Sequence, residues 1–140
     1  MDLDALIQRH LAVDLPDVHV QPGYEKDQIS RLPAVIWQVI QAPPVRNWDR
    51  KPVAWRPRVQ ITVVASSLGA AADLALRVHD TVHSWGEPFT GAGHRFPDVG
   101  HIAEVEGDLL TRSPIPQVEG SELVQFRGLF TFTASIPTRQ

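Results

Sequence analysis

The sequence predicts an α+β fold, a single-domain sandwich in which two α-helices pack against a mainly antiparallel β-sheet. Apolar residues recur at helical spacing over residues 2–12 and 68–85. Residues 58–65 and 123–136 instead alternate between two faces, as strands do. Only the helix at 68–85 is predicted to connect two strands by a crossover. The remaining strands are predicted to follow one another as hairpin-like neighbours. A length of 140 residues is about that of one ordinary domain, so we expect residues 1–140 to form a single domain.

The first elements are a short helix and two strands. The helix is predicted from Asp2 to Ala12, with Asp2 or Asp4 as its cap, and it ends before Pro16. Its apolar stripe consists of Leu3, Leu6, Ile7, His10 and Leu11. Residues 18–21 predict a short strand. Residues 34–40 are apolar on both faces, which is typical of a strand in the middle of a covered sheet.

A half-buried strand and the longest helix follow. In the strand at 58–65, one face carries Val59, Ile61, Val63 and Ala65. The helix is predicted over residues 68–85, and Ser66 or Ser67 caps it. Its buried face is predicted to hold Ala71, Ala75, Val78, Val82 and Trp85. Its solvent face is predicted to hold Asp73, Arg77, Asp80 and Ser84.

Two further strands are predicted in the last third of the chain. Residues 99–106 read as a strand after a glycine-rich loop. The last strand, at 123–136, is long and aromatic. One of its faces carries Val124, Phe126, Phe130, Phe132, Ala134 and Ile136.

The segment from residue 46 to residue 58, called here the basic segment, is the most positively charged part of the chain. It holds five basic residues and one acidic residue, which gives it a net charge of +4. Because the whole chain has a net charge of −3, the residues outside this segment carry −7. Prolines at 43, 44, 52 and 57 predict a stiff loop. Its candidate contact residues are Arg46, Trp48, Arg50, Lys51, Trp55, Arg56 and Arg58.

The basic segment is compatible with three roles. Basic residues interleaved with Trp48 and Trp55 could contact phosphates and stack on bases of single-stranded nucleic acid. The same residue types are enriched among interface hot spots, and the acidic remainder of a second copy would complement them. In the third role, the tryptophans fold back onto the core of their own chain. We favour the protein contact, which would be heterologous and head to tail, as in rings.

Two histidines raise the question of a metal site. His79, His83 and Gly86 match part of the zinc-binding helix of metzincin proteases. The third ligand position is Phe89, however, Asp80 replaces the catalytic Glu, and the single methionine is Met1, so that a Met-turn is missing. A different site could still combine the two histidines with His94, Asp98 or His101. The simpler interpretation is a pair of histidines at the helix edge, with no metal.

Other features argue against an enzyme. Ser66 and Ser67 precede a helix outside any G-x-S-x-G elbow, so they are caps. The G-A-G run at 91–93 lacks the G-K-[ST] of a phosphate loop, and Glu104 and Glu106 are typical of a solvated strand face. Cysteine is absent, which excludes disulfides and thiolate metal sites. No apolar run reaches the roughly 18 residues of a membrane span, so we expect a soluble, cytoplasmic product.

Six segments follow one another in a characteristic order over nearly the whole chain. The first three are a short N-terminal helix, a proline-led strand L-P-A-V-I-W-Q-V and a long polar loop. The last three are the strand R-V-Q-I-T-V-V-A-S-S, the helix L-G-A-A-A-D-L-A-L-R-V-H-D-T-V and the strand V-Q-F-R-G-L-F-T-F-T-A-S-I-P. In this order the chain resembles the tail terminator (tail completion) proteins of long-tailed bacteriophages and prophages.

The resemblance implies a structural role. Proteins of that family form rings, usually hexameric, that cap the finished tail tube and provide the surface for joining the head. The expected partners are other copies of the chain, the tail tube protein and a head–tail connector, with no membrane and with nucleic acid only passing through the ring. The resemblance implies no catalytic residues and no cofactor, and a location in the virion tail after assembly in the bacterial host cytoplasm. It would also account for a long, edge-prone last strand.

Overall fold

The computed structural model describes residues 3–23, 32–46, 52–85, 95–96, 100–113 and 123–135. Within these ranges lie two helices, α1 (Leu3–Asp14) and α2 (Leu68–Ser84). The same ranges contain nine strands: β1 (His19–Pro22), β2 (Ala34–Gln41), β3 (Pro44–Arg46), β4 (Pro52–Trp55), β5 (Arg58–Ala65), β6 (Arg95–Phe96), β7 (Gly100–Gly107), β8 (Thr111–Ser113) and β9 (Val124–Ser135). The predicted α+β class is confirmed.

The last strand, β9, lies at the centre of the sheet. Along one edge it pairs antiparallel with β5 and then with β4 at Ala134. Along the other edge it pairs antiparallel with β8 and β7. The expectation of an edge-prone last strand is therefore wrong, because strands from earlier in the chain cover both of its edges.

The path through the sheet runs β1-β2-β5-β9-β4-β3, with β7 and β8 joining β9 from its other side. Both β5 and β7 are antiparallel to β9, so they run parallel to each other with β9 between them. Helix α2 provides the long connection that two parallel strands require. Only β1 and β2 pair directly in parallel among the described strands, so the sheet is mainly antiparallel, as predicted.

Both helices cover the same face of the sheet. The five residues predicted for the α1 stripe are all buried, His10 included. Those predicted for the inner face of α2 are buried as well. They meet side chains from alternate positions of three strands in one core, among them Val35, Trp37, Val59, Ile61, Val63, Phe130, Phe132 and Ala134. Ile136, which was predicted to share the face of these β9 residues, lies outside the described residues.

Polar contacts fasten the two helices together. The buried indole of Trp85, directly after α2, donates from Nε1 to Oδ2 of Asp14 over 2.7 Å. The same indole lies against the His10 ring, with 4.8 Å between the ring centroids. Arg77 on α2 binds both carboxylate oxygens of Asp17, just after α1, at 2.6 and 2.7 Å. The helical layer therefore forms a connected unit over the sheet.

Three predictions about strands need correction. The basic segment is not simply a loop, because Arg46 ends β3 and residues 52–55 within the segment form β4, which pairs antiparallel with β3. The short strands β6 and β8 were not predicted. In β5, Thr62 and Val64 are buried like the core residues on the other face. They are enclosed because neighbours flank them on both edges, with Ile36 and Arg127 beside Thr62.

Strand β2 is covered only in part. Its first two residues, Ala34 and Val35, are buried, whereas Ile40 near its end is exposed. The expectation of a strand covered throughout therefore holds only for its first half.

Candidate interaction surface

The structure describes part of the basic segment. Arg46 ends β3, and its side chain lies outside what the structure describes. Trp48, Arg50 and Lys51 lie outside the described residues altogether. Trp55 ends β4, where it pairs with Ala134 of the central strand. The hairpin of β3 and β4 is therefore joined to the sheet through the pairing of Trp55 with Ala134.

The three remaining candidates differ in their surroundings. Trp55 is half-buried and packs against the core, so part of its indole supports the fold of its own chain. Arg56 is exposed, and its Nη2 lies 3.7 Å from Oε2 of Glu106, whose side chain is exposed too. Arg58 is exposed at the start of β5. The positive charge of this region is therefore partly engaged by one acidic residue of the same chain.

The face of the sheet opposite the helices carries an open depression of about 660 Å³. Residues of β5, β7, β8 and β9, together with the turn between β7 and β8, line it. Its charged lining residues are Arg58, Glu106, Asp108, Arg112 and Arg127. Two leucines in the lining are exposed, Leu109 by 55% and Leu129 by 41%. We call this surface the open face.

The open face carries charged residues of both signs along β9. Arg127 lies at the β8 end, opposite Thr111, whereas Arg112 is the register partner of Phe126, which packs against the core, so Arg112 shares the helix side of the sheet. Glu104 and Glu106 lie at the β7 end, beside Thr133 and Thr131. Both glutamates are exposed, which agrees with the solvated strand face that the sequence predicts for them. The open face therefore carries charges of both signs next to exposed leucines, because Arg58 and Glu106 flank Thr131 from opposite sides.

The sequence did not single out four residues that line this depression: Arg112, Arg127, Leu109 and Leu129. The signal for two of them was present, because the polar face of the last strand alternates with its aromatic face and includes Arg127 and Leu129. Arg112 and Leu109 could not be assigned, since β8 has only three residues and its place beside β9 depends on long-range pairing.

The two histidines of α2 lie together at the edge of the helix. Their ring centroids are 4.4 Å apart, and both rings lie near Phe130. His83 donates from Nε2 to the carbonyl oxygen of Gly107 over 3.0 Å, which joins α2 to the end of β7. His79 Nδ1 lies 3.3 Å from the carboxylate of Asp80. His83 is thus held in a structural contact.

Metal-binding groups do not converge on these histidines in the part of the chain that the structure describes. No cluster of three or more His, Cys, Asp or Glu residues with the geometry of a metal site occurs there. His94, Asp98 and the Phe89 position lie outside the described residues, as does the side chain of His101. Of the two candidate serines, Ser67 is the N-cap of α2, and its Oγ accepts from the amide of Ala70 at 3.2 Å.

A second cavity, of about 290 Å³, lies beside the Asp17–Arg77 pair. It is bounded by the start of α2, by Leu32 and Pro33 before β2, and by Val18. The hydrogen bonds from Arg77 lower the pKa of Asp17 to about 2. In turn, the carboxylate raises the pKa of Arg77. The Asp17 carboxylate and the Arg77 guanidinium neutralise each other. This pair therefore provides no unpaired charge with which the cavity could bind a ligand.

No helix within the described residues has the length and apolar character needed to cross a membrane. Comparison with protein-family models and with curated proteins finds no match. Among solved structures, the chain is similar to a chain of the virion of a native gene transfer agent particle. The TM-score is 0.53 at 13% identity, and the similarity covers 95% of this chain and 94% of that chain. At this identity the similarity shows a shared fold over nearly the whole of both chains and does not by itself show a shared role.

Proposed function

We propose that this chain is a structural protein of a phage-like virion and not an enzyme. In this proposal residues 1–140 are a single tail-terminator-like domain that caps the tail tube as an oligomeric ring of about six copies. The ring ends polymerisation of the tube and provides the surface for joining the head. Its partners are other copies of the chain, the tail tube protein and a head–tail connector protein, in the tail of a virion assembled in the bacterial host cytoplasm.

The observation that carries the proposal is the full-length similarity to a chain of a gene transfer agent virion. The match covers 95% of this chain and 94% of that chain, so it relates the fold as a whole and not one segment of it. The order of elements in the sequence independently resembles the tail terminator family. A structural role also fits the open face, whose exposed leucines and surrounding charged groups of both signs are suited to protein contacts.

Within the ring, the basic segment contacts an acidic surface of a neighbouring copy or of the tube. The segment carries a net charge of +4 and the rest of the chain carries −7. The segment of one copy is therefore attracted to a different, acidic surface of the next copy, which favours a heterologous contact. The hairpin of β3 and β4 supports this role, because β4 pairs with the central strand and β3 with β4, which ties the residues on both sides of positions 47–51 to the sheet.

A nucleic-acid-binding module is the alternative. Trp48 and the arginines of the basic segment would stack on bases and contact phosphates, and affinity would fall steeply with salt. A small metalloenzyme built on His79 and His83 is a weaker alternative, because His83 is engaged with Gly107. Stoichiometric zinc in the purified protein would favour the metalloenzyme.

The proposed function can be tested in the bacterium whose particles contain this chain. After deletion of the gene, we expect tail tubes of uncontrolled length without attached heads, measured by electron microscopy. A wild-type copy supplied in trans should restore uniform, head-joined tails, and antibody should label the head-proximal end of each tail. Tails of normal length joined to heads in the deletion strain would refute the tail-capping role.

A further inference from the structure

We propose that the second cavity, beside the start of α2, holds Trp48 of a neighbouring copy of this chain. The basic side chains next to Trp48 then contact the acidic rim of the cavity. This inference deepens the proposed function, on which it rests for its place in the ring, by naming where the basic segment binds. The contact itself can be tested without a tail.

The walls of the second cavity are apolar and large enough to enclose one aromatic side chain. The apolar residues that line it are Val18, Leu32, Pro33, Ala65, Ala70 and Leu74. Val18 and Leu74 are buried, so one side of the cavity belongs to the core. An apolar cavity of roughly 150 Å³ can hold a benzene molecule. A volume of about 290 Å³ is therefore sufficient for the two fused rings of an indole.

The polar rim of the cavity has a negative net charge. Two aspartates and one arginine line it: Asp17, Asp73 and Arg77. Asp17 and Arg77 bind each other through two hydrogen bonds. Asp73 has no ion-pair partner in the part of the chain that the structure describes, and it is exposed. The cavity therefore favours an apolar group that is accompanied by a positive charge.

Residues 47–51, which connect β3 to β4, offer this combination. Their sequence is Asn-Trp-Asp-Arg-Lys, in which Trp48 is the one apolar side chain and Arg50 and Lys51 follow closely. Tryptophan and arginine are the residue types enriched among interface hot spots, which fill desolvated pockets on the partner. With the indole inside the cavity, Arg50 or Lys51 would neutralise Asp73.

The cavity and residues 47–51 lie at opposite ends of the sheet. Ala65, beside the cavity, pairs with Val124 at the start of β9, whereas Trp55 of β4 pairs with Ala134. These two positions of β9 are about 30 Å apart. Because β4 is antiparallel to β9, the rest of β4 continues beyond Ala134 and away from the cavity. Five residues that are joined to this hairpin at both ends cannot cover that distance, so the occupant comes from a second copy.

A contact between opposite ends of the molecule is heterologous, since each copy offers its cavity to one neighbour and its Trp48 to another. Such contacts propagate from copy to copy. They close into a ring when each step includes a suitable rotation.

Two variants, each of which blocks one side of the contact, provide the test. Trp48→Ala removes the indole, and Ala70→Trp fills the cavity from an exposed position in the first turns of α2. Self-association is measured by sedimentation velocity over a range of protein concentrations. We expect each variant alone to associate at least about tenfold more weakly than the wild type, because each removes the anchor of the interface.

An equimolar mixture of the two variants gives a sharper result. The intact Trp48 of the Ala70→Trp chain can enter the intact cavity of the Trp48→Ala chain, whereas the other two sites are blocked. We therefore expect the mixture to form dimers and nothing larger. A mixture that stays monomeric while the wild type associates, or a wild type that is monomeric at every concentration, would overturn the proposal.

Disulfide formation tests the placement of the segment, because the chain contains no cysteine. A chain with Asp49→Cys should form a disulfide with a second, tagged chain that carries Ser66→Cys at the cavity. Glu104→Cys is the control, since Glu104 pairs with Thr133 at the far end of β9 from Val124. Equal yields of disulfide with the Ser66→Cys and Glu104→Cys chains would contradict the proposed contact.

Further controls separate the contact from folding and from general charge effects. Ala5→Trp introduces the same bulk at an exposed position of α1 that does not line the cavity, so association should be unchanged. Asp73→Asn should weaken association and reduce its dependence on salt, because one exposed charge of the contact is lost. Thermal unfolding of every variant should match that of the wild type.

The remaining outcomes separate this contact from the proposed function. If the mixture forms dimers while gene deletion leaves tails normal, the contact stands and the tail-capping function fails. If gene deletion gives tubes of uncontrolled length while the mixture stays monomeric, the function stands and this contact fails. If Trp48→Ala associates normally but no longer binds a single-stranded DNA oligonucleotide, the basic segment is a nucleic-acid surface and the proposal is overturned.

Discussion

Two glycines of this chain have opposite steric surroundings. At Gly107, at the end of β7, an added Cβ would lie 2.5 Å from Cδ1 of the buried Phe130 and 3.0 Å from the carbonyl oxygen of Leu129. At Gly69, in the first turn of α2, an added Cβ would meet nothing within 4 Å. The first glycine is required by close packing between neighbouring strands, whereas the second is not required by any neighbour.

We therefore expect Gly107→Ala to destabilise the protein by about 1–3 kcal/mol, the usual cost of overpacking a core. The matched variant Gly69→Ala should be neutral or stabilise the protein by up to about 1 kcal/mol, since alanine lowers the entropy of the unfolded chain. Urea unfolding followed by circular dichroism measures both values. Equal effects of the two substitutions on the free energy of unfolding would contradict this expectation, because they would show that the close approach to Phe130 does not destabilise the Gly107→Ala variant.

The Asp17–Arg77 pair predicts a pH dependence. Hydrogen bonds from Arg77 lower the pKa of Asp17 from 3.8 to about 2. A carboxyl group with a lowered pKa in the folded state stabilises that state above its unfolded pKa, and this stabilisation disappears as pH falls through the folded pKa. Asp17→Asn should therefore lower the Tm at pH 6, and the difference from wild type should shrink between pH 3.8 and about 2. Asp108→Asn, an exposed substitution away from this pair, is the matched control.

Sequence patterns at single residues predicted burial better than they predicted polar partners. The helical spacing of Leu6, His10 and Leu11 was enough to place all three in the core. The partner of His83 could not be predicted, because Gly107 lies 24 residues away and only the folded sheet brings its carbonyl to α2. The same is true of Trp85 and Asp14, which are 71 residues apart.

At the scale of elements, the cap of α2 gives a direct comparison of two adjacent serines. The sequence allowed either Ser66 or Ser67 as the cap, and the structure identifies Ser67, whose Oγ accepts from the amide of Ala70. Loss of such a cap typically costs about 0.5–2 kcal/mol. Ser67→Ala should therefore lower stability by about 1 kcal/mol, and Ser66→Ala should have little effect. Thermal unfolding of the two variants measures the difference, and a larger loss for Ser66→Ala would contradict the capping geometry.

Long elements were predictable and short ones were not. Helix α2 and strands β5 and β9 have 17, 8 and 12 residues, so their periodicity stands out over many positions. Strands β6 and β8 have two and three residues, too few for alternation to appear. Strands β3 and β4 each begin with a proline, a residue that the sequence pattern associates with loops, and they pair with each other as a hairpin.

At the scale of the whole molecule, the last strand determines how the sheet closes. Strand β9 joins β5 and β4 on one side to β7 and β8 on the other, so the two halves of the sheet depend on the C-terminal part of the described chain. Alternation within residues 123–136 predicted a strand but could not predict its neighbours. Sheet order depends on pairing between distant segments, and the same pairing creates the open face.

The basic segment has two tryptophans with different expected effects. Trp55 is half-buried against the core, so Trp55→Ala should lower the Tm of the protein and also weaken its assembly. Trp48 lies outside the described residues, and we expect Trp48→Ala to weaken assembly more than any single arginine substitution, because a desolvated indole is the better anchor. Arg56 is exposed and 3.7 Å from Glu106, so Arg56→Ala should change the free energy of assembly by only about 0.2–1 kcal/mol.

Sedimentation and electron microscopy of the assembled rings or capped tubes, at low and high salt, measure these effects. Added salt should reduce the contribution of the arginines more than that of Trp48, because exposed charges are screened and an apolar contact is not. The decisive variant combines Trp48→Ala with Arg50→Ala. If it assembled like the wild type but no longer bound single-stranded DNA in a salt-sensitive way, the basic segment would contact nucleic acid instead of a protein surface.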